Sequence, residues 1–271
     1  MLGRDVVAAA ERAGHDAVGL ARADLDVTDG AAVERAVATE RPDVVVNCAA
    51  YTNVDGAESD EAAATRLNGH AAGLVAHAAA SAGAAVVQPS TDYVFDGSKR
   101  TPYVESDPTG PEGAYGRSKL AGEHAVASAA ERHFIVRTSW LFGVAGKNFA
   151  DTMLALGRDR DELKVVHDQV GCPTYTGHLA EAIVRLAGTG AYGMHHVAGG
   201  GKECSWFEFA TEIFRQAEVD VRVVPCTTEE FPRPAPRPAY SVLGSERADA
   251  VRLPDWREGL ASYLAERAVA R

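Results

Sequence analysis

Asp43-Val44-Val45-Val46-Asn47-Cys48-Ala49-Ala50 is an apolar run that breaks off into a polar residue and small side chains, and it predicts a buried strand. Further runs of this kind are Asp16–Leu20, Ala84–Gln88 and Phe134–Arg137. Helical stretches between the strands are Thr28–Glu40, with Thr28 as its cap, residues 58–82 and Tyr115–Arg132. The alternation predicts an α/β fold, a doubly wound parallel sheet covered on both faces.

The composition excludes several classes of protein. With 271 residues, 46% of them hydrophobic, the chain can bury a core and is not disordered. A net charge of -11 argues against nucleic acid or an anionic membrane surface as a partner. The four cysteines are scattered, which favours free thiols, and no apolar run is long enough to cross a bilayer. We therefore expect a cytoplasmic protein.

The chain changes character after about residue 140, where glycines separate shorter elements. This change predicts a first domain over residues 1–140 and a smaller α/β lobe over residues 141–271. Within the lobe, prolines occupy alternate positions from 232 to 238. Proline lacks an amide hydrogen, so this stretch must be an extended loop.

Tyr115-Gly116-Arg117-Ser118-Lys119 places a phenol and an ammonium four residues apart on a predicted helix. A phenol ordinarily has a pKa of about 10, and a neighbouring positive charge lowers that pKa. Such a pair can exchange a proton with a carbonyl oxygen. The same spacing also occurs in ordinary surface helices, so the motif needs support from elsewhere in the chain.

That support comes from the residues that follow two predicted strands. Ser90 and Thr91 lie at a carboxyl strand end, where open α/β sheets bind ligands, and a hydroxyl there can hold a reacting oxygen. Ala49 and Ala50 follow another strand, and their small side chains would let a flat ring or a diphosphate approach the backbone. Turn capping and tight packing are the alternatives for these residues.

Six segments resemble sequences of the dTDP-4-dehydrorhamnose reductases, a family of extended short-chain dehydrogenase/reductases. They are Leu25–Asp29, Asn47–Thr52, Ser90–Gly97, Tyr115–Lys119, Arg137–Gly143 and Asp168–Thr174. The resemblance continues through Arg237–Leu243 and so spans nearly the whole chain. It implies a Rossmann-type domain that binds a nicotinamide cofactor, and a C-terminal lobe that holds a nucleotide sugar.

The resemblance also implies a role for individual residues. Tyr115 would protonate the C4 oxygen of the sugar, Lys119 would hold the nicotinamide ribose and lower the pKa of Tyr115, and Thr91 would supply the hydroxyl partner. The implied cofactor contacts, besides Tyr115 and Lys119, are Leu2, Gly3, Arg22, Asp26, Val27, Ala49, Ala50, Tyr51 and Thr52. The implied substrate contacts, besides Thr91, are Asp92, Tyr93, Trp140, Asn148, Gln169 and Arg237.

The choice between NADPH and NADH is predicted from the residues after Asp16–Leu20, which corresponds to the second strand of a dinucleotide-binding domain. Arg22 there would accept a 2′-phosphate, which favours NADPH, while the nearby Asp24 leaves NADH as an alternative. His195 and His196 point to opposite faces of a predicted strand and are expected to be structural rather than metal ligands. Some family members pair through a magnesium site of acidic residues, but no metal ligand can be assigned here. A homodimer is the expected assembly.

The chain departs from the family at its start. The family opens with a strand and a glycine-rich turn on which the cofactor pyrophosphate rests, and only Gly3 of that turn is present. We expect the printed start to lie downstream of these elements, and the 271 residues to bind cofactor less tightly.

Two alternatives to the reductase remain. A noncatalytic relative, such as the regulatory subunit of methionine adenosyltransferase, would fit the missing glycine turn. An epimerase or dehydratase acting on nucleotide sugars would share Tyr115 and Lys119, but it would need further acid or base groups.

Overall fold

The computed structural model describes residues 1–269. Its helices are α1 (Leu2–Arg12), α2 (Gly30–Glu40), α3 (Val54–Ser59), α4 (Glu61–Thr65), α5 (Ala71–Ser81), α6 (Ala114–Ala129), α7 (Phe149–Leu156), α8 (Thr176–Ala187), α9 (Trp206–Gln216) and α10 (Trp256–Val269). Its strands are β1 (Val44–Val46), β2 (Ala85–Thr91), β3 (His133–Thr138), β4 (Leu141–Phe142), β5 (Glu162–Val166), β6 (Val170–Gly171), β7 (Thr174–Tyr175), β8 (Gly193–His196), β9 (Cys204–Ser205) and β10 (Arg222–Cys226).

The main sheet has the strand order β1, β2, β3, β8, and all its pairs are parallel. Val45 lies opposite Val86, and Val87 lies opposite Phe134. Valines and other apolar residues are buried along β2 and β3, as a sheet covered on both faces requires. The predicted α/β fold with a parallel sheet is confirmed.

A separate apolar cluster covers each face of this sheet. On one face, α1 and α8 bury residues that include Leu2, Val6, Leu179 and Ile183. On the other, α2, α5 and α6 bury a cluster rich in alanine and valine. Small side chains let these helices lie close together: a Cβ on Gly73 would lie 3.1 Å from that of Ala125. Within residues 1–269, every helix falls short of the length or apolarity that crossing a bilayer requires.

A third cluster forms the core of the C-terminal lobe. It brings together Phe142, Phe209, Ile213, Trp256 and Leu260, all buried. The parallel pair β5 and β10 and the helices α7, α9 and α10 enclose it. However, α8 and β8 return to the main sheet, so residue 140 is not a clean boundary in the chain.

The strand predicted at Asp16–Leu20 is wrong. These residues are not in a strand, and no strand among residues 1–269 pairs with them. Val18 and Leu20 are 57% and 48% exposed. An apolar run becomes a strand only where a neighbour accepts its backbone hydrogen bonds, and this run lacks one.

Two details of the predicted helices also need correction. Asp29, not Thr28, caps α2: its side chain accepts a hydrogen bond from the Ala32 amide at 3.1 Å. The helix predicted over residues 58–82 is interrupted at Asp60, which caps a new helix, and by a π-helical segment at Arg66–His70. The proline-rich stretch 231–238 contains neither helix nor strand, as predicted.

Candidate active site

Thr91 ends β2 at the carboxyl edge of the main sheet. Its side chain is buried, and its hydroxyl donates to Asp92 Oδ1 at 3.0 Å and accepts from the Tyr93 amide at 3.2 Å. These bonds fix the hydroxyl at the start of a 3-10 turn over Asp92–Val94. One acceptor site of the hydroxyl is left for a further partner.

Ser90, the other hydroxyl of this motif, has a structural role. It donates to Glu123 Oε1 at 2.5 Å, and Arg137 donates to both Glu123 oxygens at 2.9 and 2.6 Å. The ion pair is almost completely buried, so losing one partner would leave an uncompensated charge. Thr91 is therefore the hydroxyl that remains available at the sheet edge.

Tyr115 and Lys119 lie on α6, whose first turn is held by contacts that the sequence did not reveal. Glu58 Oε1 accepts a hydrogen bond from the Ala114 amide at 2.7 Å, because the N-cap residue of α6 is a glycine without a side chain. A Cβ on Gly116 would lie 2.2 Å from the Tyr93 carbonyl oxygen. The helix can approach the Asp92–Val94 turn only because that position is glycine.

The Tyr115 ring meets the Tyr93 ring edge to face, with centroids 5.6 Å apart. Burial and the Asp92 charge together raise the pKa of Tyr115 to about 12, and a hydrogen bond with Thr91 opposes part of that rise. The expected lowering of this pKa by Lys119 is not seen, because only burial, Asp92 and Thr91 shift it. Tyr115 is therefore a phenol that holds its proton at neutral pH, as a proton donor must.

The Lys119 ammonium is buried behind this tyrosine and donates to the Pro89 carbonyl oxygen at 2.7 Å. Burial lowers its pKa to about 8, although Glu123 and Cys48 oppose the shift. A buried ammonium with one carbonyl partner can still donate two hydrogen bonds. Lys119 thus keeps donors for a hydroxyl-rich ligand at the sheet edge.

Asp92 is a buried carboxyl beside the same edge. Burial raises its pKa to about 6, and the Ser241 and Thr91 hydroxyls lower it in part. By hydrogen-bond geometry, Asp92 Oδ2 and the Thr138 hydroxyl are buried without a partner among residues 1–269. Two adjacent strands thus end in buried polar atoms at this edge.

Asn68, which the sequence did not single out, fastens the Ala49–Thr52 segment to α6. Its Oδ1 accepts from the Tyr51 amide at 2.8 Å, and its Nδ2 donates to the Tyr51 carbonyl at 3.0 Å and to the Ser118 hydroxyl at 2.9 Å. It lies in the π-helical segment, a feature often found at functional sites. The predicted cofactor segment therefore runs beside the helix of Tyr115.

The start of the chain also lies at this edge. A Cβ on Gly3 would lie 3.3 Å from that of Cys48, just after β1, and Leu2 is buried in the core. No side chain caps the first turn of α1; the Arg4 amide donates to the Met1 carbonyl at 3.2 Å, and the amides before it have no partner within the helix.

The predicted adenine-side residues follow the exposed run 16–20. Asp26 Oδ1 accepts from the Thr28 amide and hydroxyl at 2.9 and 2.7 Å, and these bonds lower its pKa. Val27 packs against an apolar cluster. Arg22 is exposed and forms no ion pair within residues 1–269.

Trp140 follows β3 and has a φ of +48°, a conformation that bulky residues rarely adopt. Its ring stacks on Trp206, with centroids 3.5 Å apart and planes 5° apart. A Cβ on Gly171 would lie 2.6 Å from Trp140 Cε2. Strained backbone held by packing is common at functional sites, which is consistent with the predicted sugar contact.

The remaining predicted substrate contacts are Asn148, Gln169 and Arg237. Asn148 caps α7, and its amide donates to the Gly143 and Gly146 carbonyls at 2.8 and 3.0 Å, so the structure gives it a structural role. Its part in sugar binding stays a prediction. Gln169 is buried and donates to Thr228 at 2.9 Å. The guanidinium carbon of Arg237 lies 6.0 Å from the centre of the Tyr93 ring, near the sheet edge that carries Thr91.

Side chains suited to metal binding are not gathered in residues 1–269: no group of three or more His, Cys, Asp or Glu could hold an ion. His195 contacts the Ala191 carbonyl at 2.7 Å, and His196 contacts the Gly244 carbonyl at 2.8 Å. Burial lowers the pKa of both histidines. Both therefore contribute to the packing of β8.

One sequence family, two relatives and one crystal structure each match most of this chain. The RmlD substrate binding domain family matches residues 1–269. The dTDP-4-dehydrorhamnose reductase of Streptomyces griseus is 45% identical over 96% of this chain and 88% of its own. A Streptomyces antibioticus protein named "Probable dTDP-4,6-dihydroxy-2-methyloxan-3-one 4-ketoreductase" is also 45% identical, over 96% and 90%. The crystal structure of Bacillus anthracis dTDP-4-dehydrorhamnose reductase with NADP has a TM-score of 0.95 at 41% identity, over 98% and 95%.

Proposed function

This chain belongs to the dTDP-4-dehydrorhamnose reductase family, and we propose that it reduces the C4 keto group of dTDP-4-dehydro-6-deoxy-L-mannose to give dTDP-L-rhamnose. The reaction serves nucleotide-sugar and cell-surface polysaccharide biosynthesis. The meeting of Thr91, Tyr115 and Lys119 at one sheet edge is the observation that carries this proposal.

The residues of this edge fit a nicotinamide dinucleotide. The uncapped first turn of α1 would hold its diphosphate, and the buried ammonium of Lys119 would hold its ribose. The small side chains of Ala49 and Ala50 would let one of its rings lie close to the backbone. The NADP bound to the Bacillus anthracis relative supports NADPH over NADH. The reduced nicotinamide supplies a hydride when it is bound.

The protein supplies the proton and the orientation. As the C4 carbon of the sugar gains hydride, its oxygen gains negative charge and takes the proton of the Tyr115 hydroxyl. To hold that oxygen from the other side, the Thr91 hydroxyl turns its proton from Asp92 Oδ1 to the oxygen, and Lys119 holds the ribose of the cofactor. The phenolate regains a proton from solvent, so the balance is one ketone, one hydride and one proton to one alcohol.

The C-terminal lobe would hold the nucleotide sugar. Trp140, fixed by Trp206, offers an apolar ring to the sugar, and Arg237 offers a guanidinium to the diphosphate. Asp92, Tyr93 and Gln169 border the same space in this proposal.

A second candidate keeps the chemistry and changes the sugar. The Streptomyces antibioticus relative is named as a 4-ketoreductase of a different dTDP-linked sugar, at the same identity. Incubating the protein with NADPH and each keto sugar, and weighing the products by mass spectrometry, separates the two. A product two mass units heavier than dTDP-4-dehydrorhamnose supports the first proposal, and no reduced product from that sugar contradicts it.

The same incubation tests the remaining alternatives. A noncatalytic subunit would reduce neither sugar, and an epimerase or dehydratase would change the sugar without net consumption of NADPH. The homodimer, the cytoplasmic location and the exclusion of nucleic acid stay predictions from the sequence.

A further inference from the structure

Asp55 on α3 gathers donors from the proline-rich loop 231–238. Its Oδ1 accepts from Arg237 Nη2 at 2.9 Å and from the Ala235 amide at 3.3 Å. Its Oδ2 accepts from Arg233 Nε at 3.0 Å and from Arg233 Nη2. One carboxylate in the N-terminal half of the chain thus holds three residues of a loop that is about 180 residues away in sequence.

Arg237 is fixed by hydrogen bonds, and some of its N–H donors remain unused. A guanidinium carries five N–H donors, and the Arg237 side chain uses two of them, one to Asp55 and one to the Ala235 carbonyl at 3.1 Å. The Arg237 side chain is only 15% exposed, and it lies beside Tyr93, whose ring contacts Tyr115. Its unused N–H donors therefore lie beside the Tyr93 ring, which separates them from Tyr115 at the carboxyl edge of the main sheet.

The charges around Asp55 favour an anion at this place. Burial raises the pKa of Asp55, but hydrogen bonds from Arg233 and Ala235 lower it more, so the group is an anion at neutral pH. Two guanidinium groups face the Asp55 carboxylate, which leaves one positive charge in excess over Asp55, while the nearby Glu58 carboxylate accepts from the Ala114 amide. A diphosphate could meet that charge without breaking the contacts to Asp55.

We propose that Asp55 is a positioning residue that presents Arg237 to the diphosphate of the nucleotide-sugar substrate. The inference rests on the proposed function, because only a nucleotide-sugar substrate brings a diphosphate to this loop. Asp55 acts through Arg237 and touches no reacting atom.

Glu61, the first residue of α4, provides a matched control. It accepts hydrogen bonds from Arg117 Nε and Nη2, both at 2.8 Å, in an ion pair that is about half exposed. Its partner lies on α6 and not in the proline-rich loop. Glu61→Gln therefore removes an arginine-bound carboxylate and leaves the loop untouched.

The test measures binding of dTDP by calorimetry to the wild-type protein, Asp55→Asn and Glu61→Gln. Asp55→Asn keeps the side-chain shape but loses the charge that holds Arg237, so it should weaken binding by about tenfold, the scale of one charge-assisted hydrogen bond. Glu61→Gln should bind as the wild type does. With keto sugar and NADPH, Asp55→Asn should raise the KM of the sugar nucleotide by a similar factor with much less change in kcat.

A second background shows whether Asp55 acts through Arg237. In Arg237→Gln, adding Asp55→Asn should weaken dTDP binding no further. Asp55→Glu keeps the charge but shifts the carboxylate by one methylene, and it should weaken binding less than Asp55→Asn. This variant carries the test if Asp55→Asn does not fold.

Several results would overturn the inference. Wild-type affinity in both Asp55 variants would do so, as would tighter binding by Asp55→Asn, which follows if Asp55 merely repels the diphosphate. An undiminished effect of Asp55→Asn in Arg237→Gln would show that it acts elsewhere. Absence of dTDP binding by the wild type would overturn the proposed function as well, which separates the two failures.

Discussion

Tyr115 is the residue on which the proposed chemistry depends. Its hydroxyl is buried between Thr91 and the Tyr93 ring, and its raised pKa keeps it protonated. Tyr115→Phe should lower kcat by about 100-fold or more, the usual scale for a positioned acid, with NADPH affinity nearly unchanged. Tyr192→Phe is the control, because this hydroxyl only accepts from Arg132 at 2.8 Å. Turnover kept in Tyr115→Phe would remove Tyr115 from the mechanism.

Trp140 should affect the sugar and not the cofactor. Trp140→Ala removes the ring that stacks on Trp206, and we expect a higher KM for the sugar nucleotide with the KM for NADPH unchanged. Steady-state kinetics with each substrate varied in turn measures both values. A normal KM for the sugar nucleotide would refute the sugar contact.

Asp92 should make stability depend on pH in an unusual direction. Its pKa is about 6 in the folded protein against an ordinary value of 3.8, so folding favours the protonated carboxyl. Its contribution is fully present below pH 3.8 and is lost as the pH rises through 6, at a cost of order 3 kcal/mol. Asp92→Asn lacks this loss, so its stability relative to the wild type should rise between pH 4 and 6.5, measured by urea unfolding.

Asp96→Asn is the matched control for that experiment. Hydrogen bonds from Ser98 and Tyr103 lower the pKa of Asp96, so its contribution is present at higher pH and is lost as the pH falls. This variant should lose stability relative to the wild type as the pH rises. Parallel pH curves for Asp92→Asn and the wild type would contradict the assignment.

Among the elements, the contact between α6 and the Asp92–Val94 turn aligns Tyr115 with Thr91. Gly116→Ala would place a methyl group 2.2 Å from the Tyr93 carbonyl oxygen, so the helix must move. We expect a loss of about 1 to 3 kcal/mol in stability, typical of overpacking, and a lower kcat. Gly188→Ala is the control, because its Cβ would lie 3.6 Å from the nearest atom. Wild-type kcat in Gly116→Ala would contradict this account.

Strands β2 and β3 were predicted from the sequence because apolar residues buried on both faces leave a continuous run. Asp16–Leu20 has the same pattern, but apolarity does not show whether a partner strand is present. Asp55 and Arg237 are 182 residues apart, and neither lies in a local pattern that points to the other. Glu58 and Asn68 were missed for the same reason, since both act on distant backbone groups. Local motifs therefore predicted Thr91, Tyr115 and Lys119, and long-range supports needed the structure.

At the scale of the whole molecule, the segment around residues 239–244 joins the two halves of the chain. The Val170 amide donates to the Ala239 carbonyl at 2.9 Å in the C-terminal lobe, and the Tyr103 amide donates to the Val242 carbonyl at 2.8 Å near the main sheet. The proline-rich loop precedes this segment directly and reaches Asp55. The nucleotide-sugar side and the proton-donating side of the proposed site are thus connected by backbone hydrogen bonds.

In the proposed reaction, hydride reaches C4 of the sugar while Tyr115 delivers the proton. The most direct measurement uses NADPH carrying two deuterium atoms at C4 of its nicotinamide ring, with dTDP-4-dehydrorhamnose as the acceptor. We expect one deuterium on C4 of the dTDP-L-rhamnose formed, in step with NADPH oxidation. NADPH oxidation without deuterium at that carbon, or keto sugar left unreduced, would contradict it.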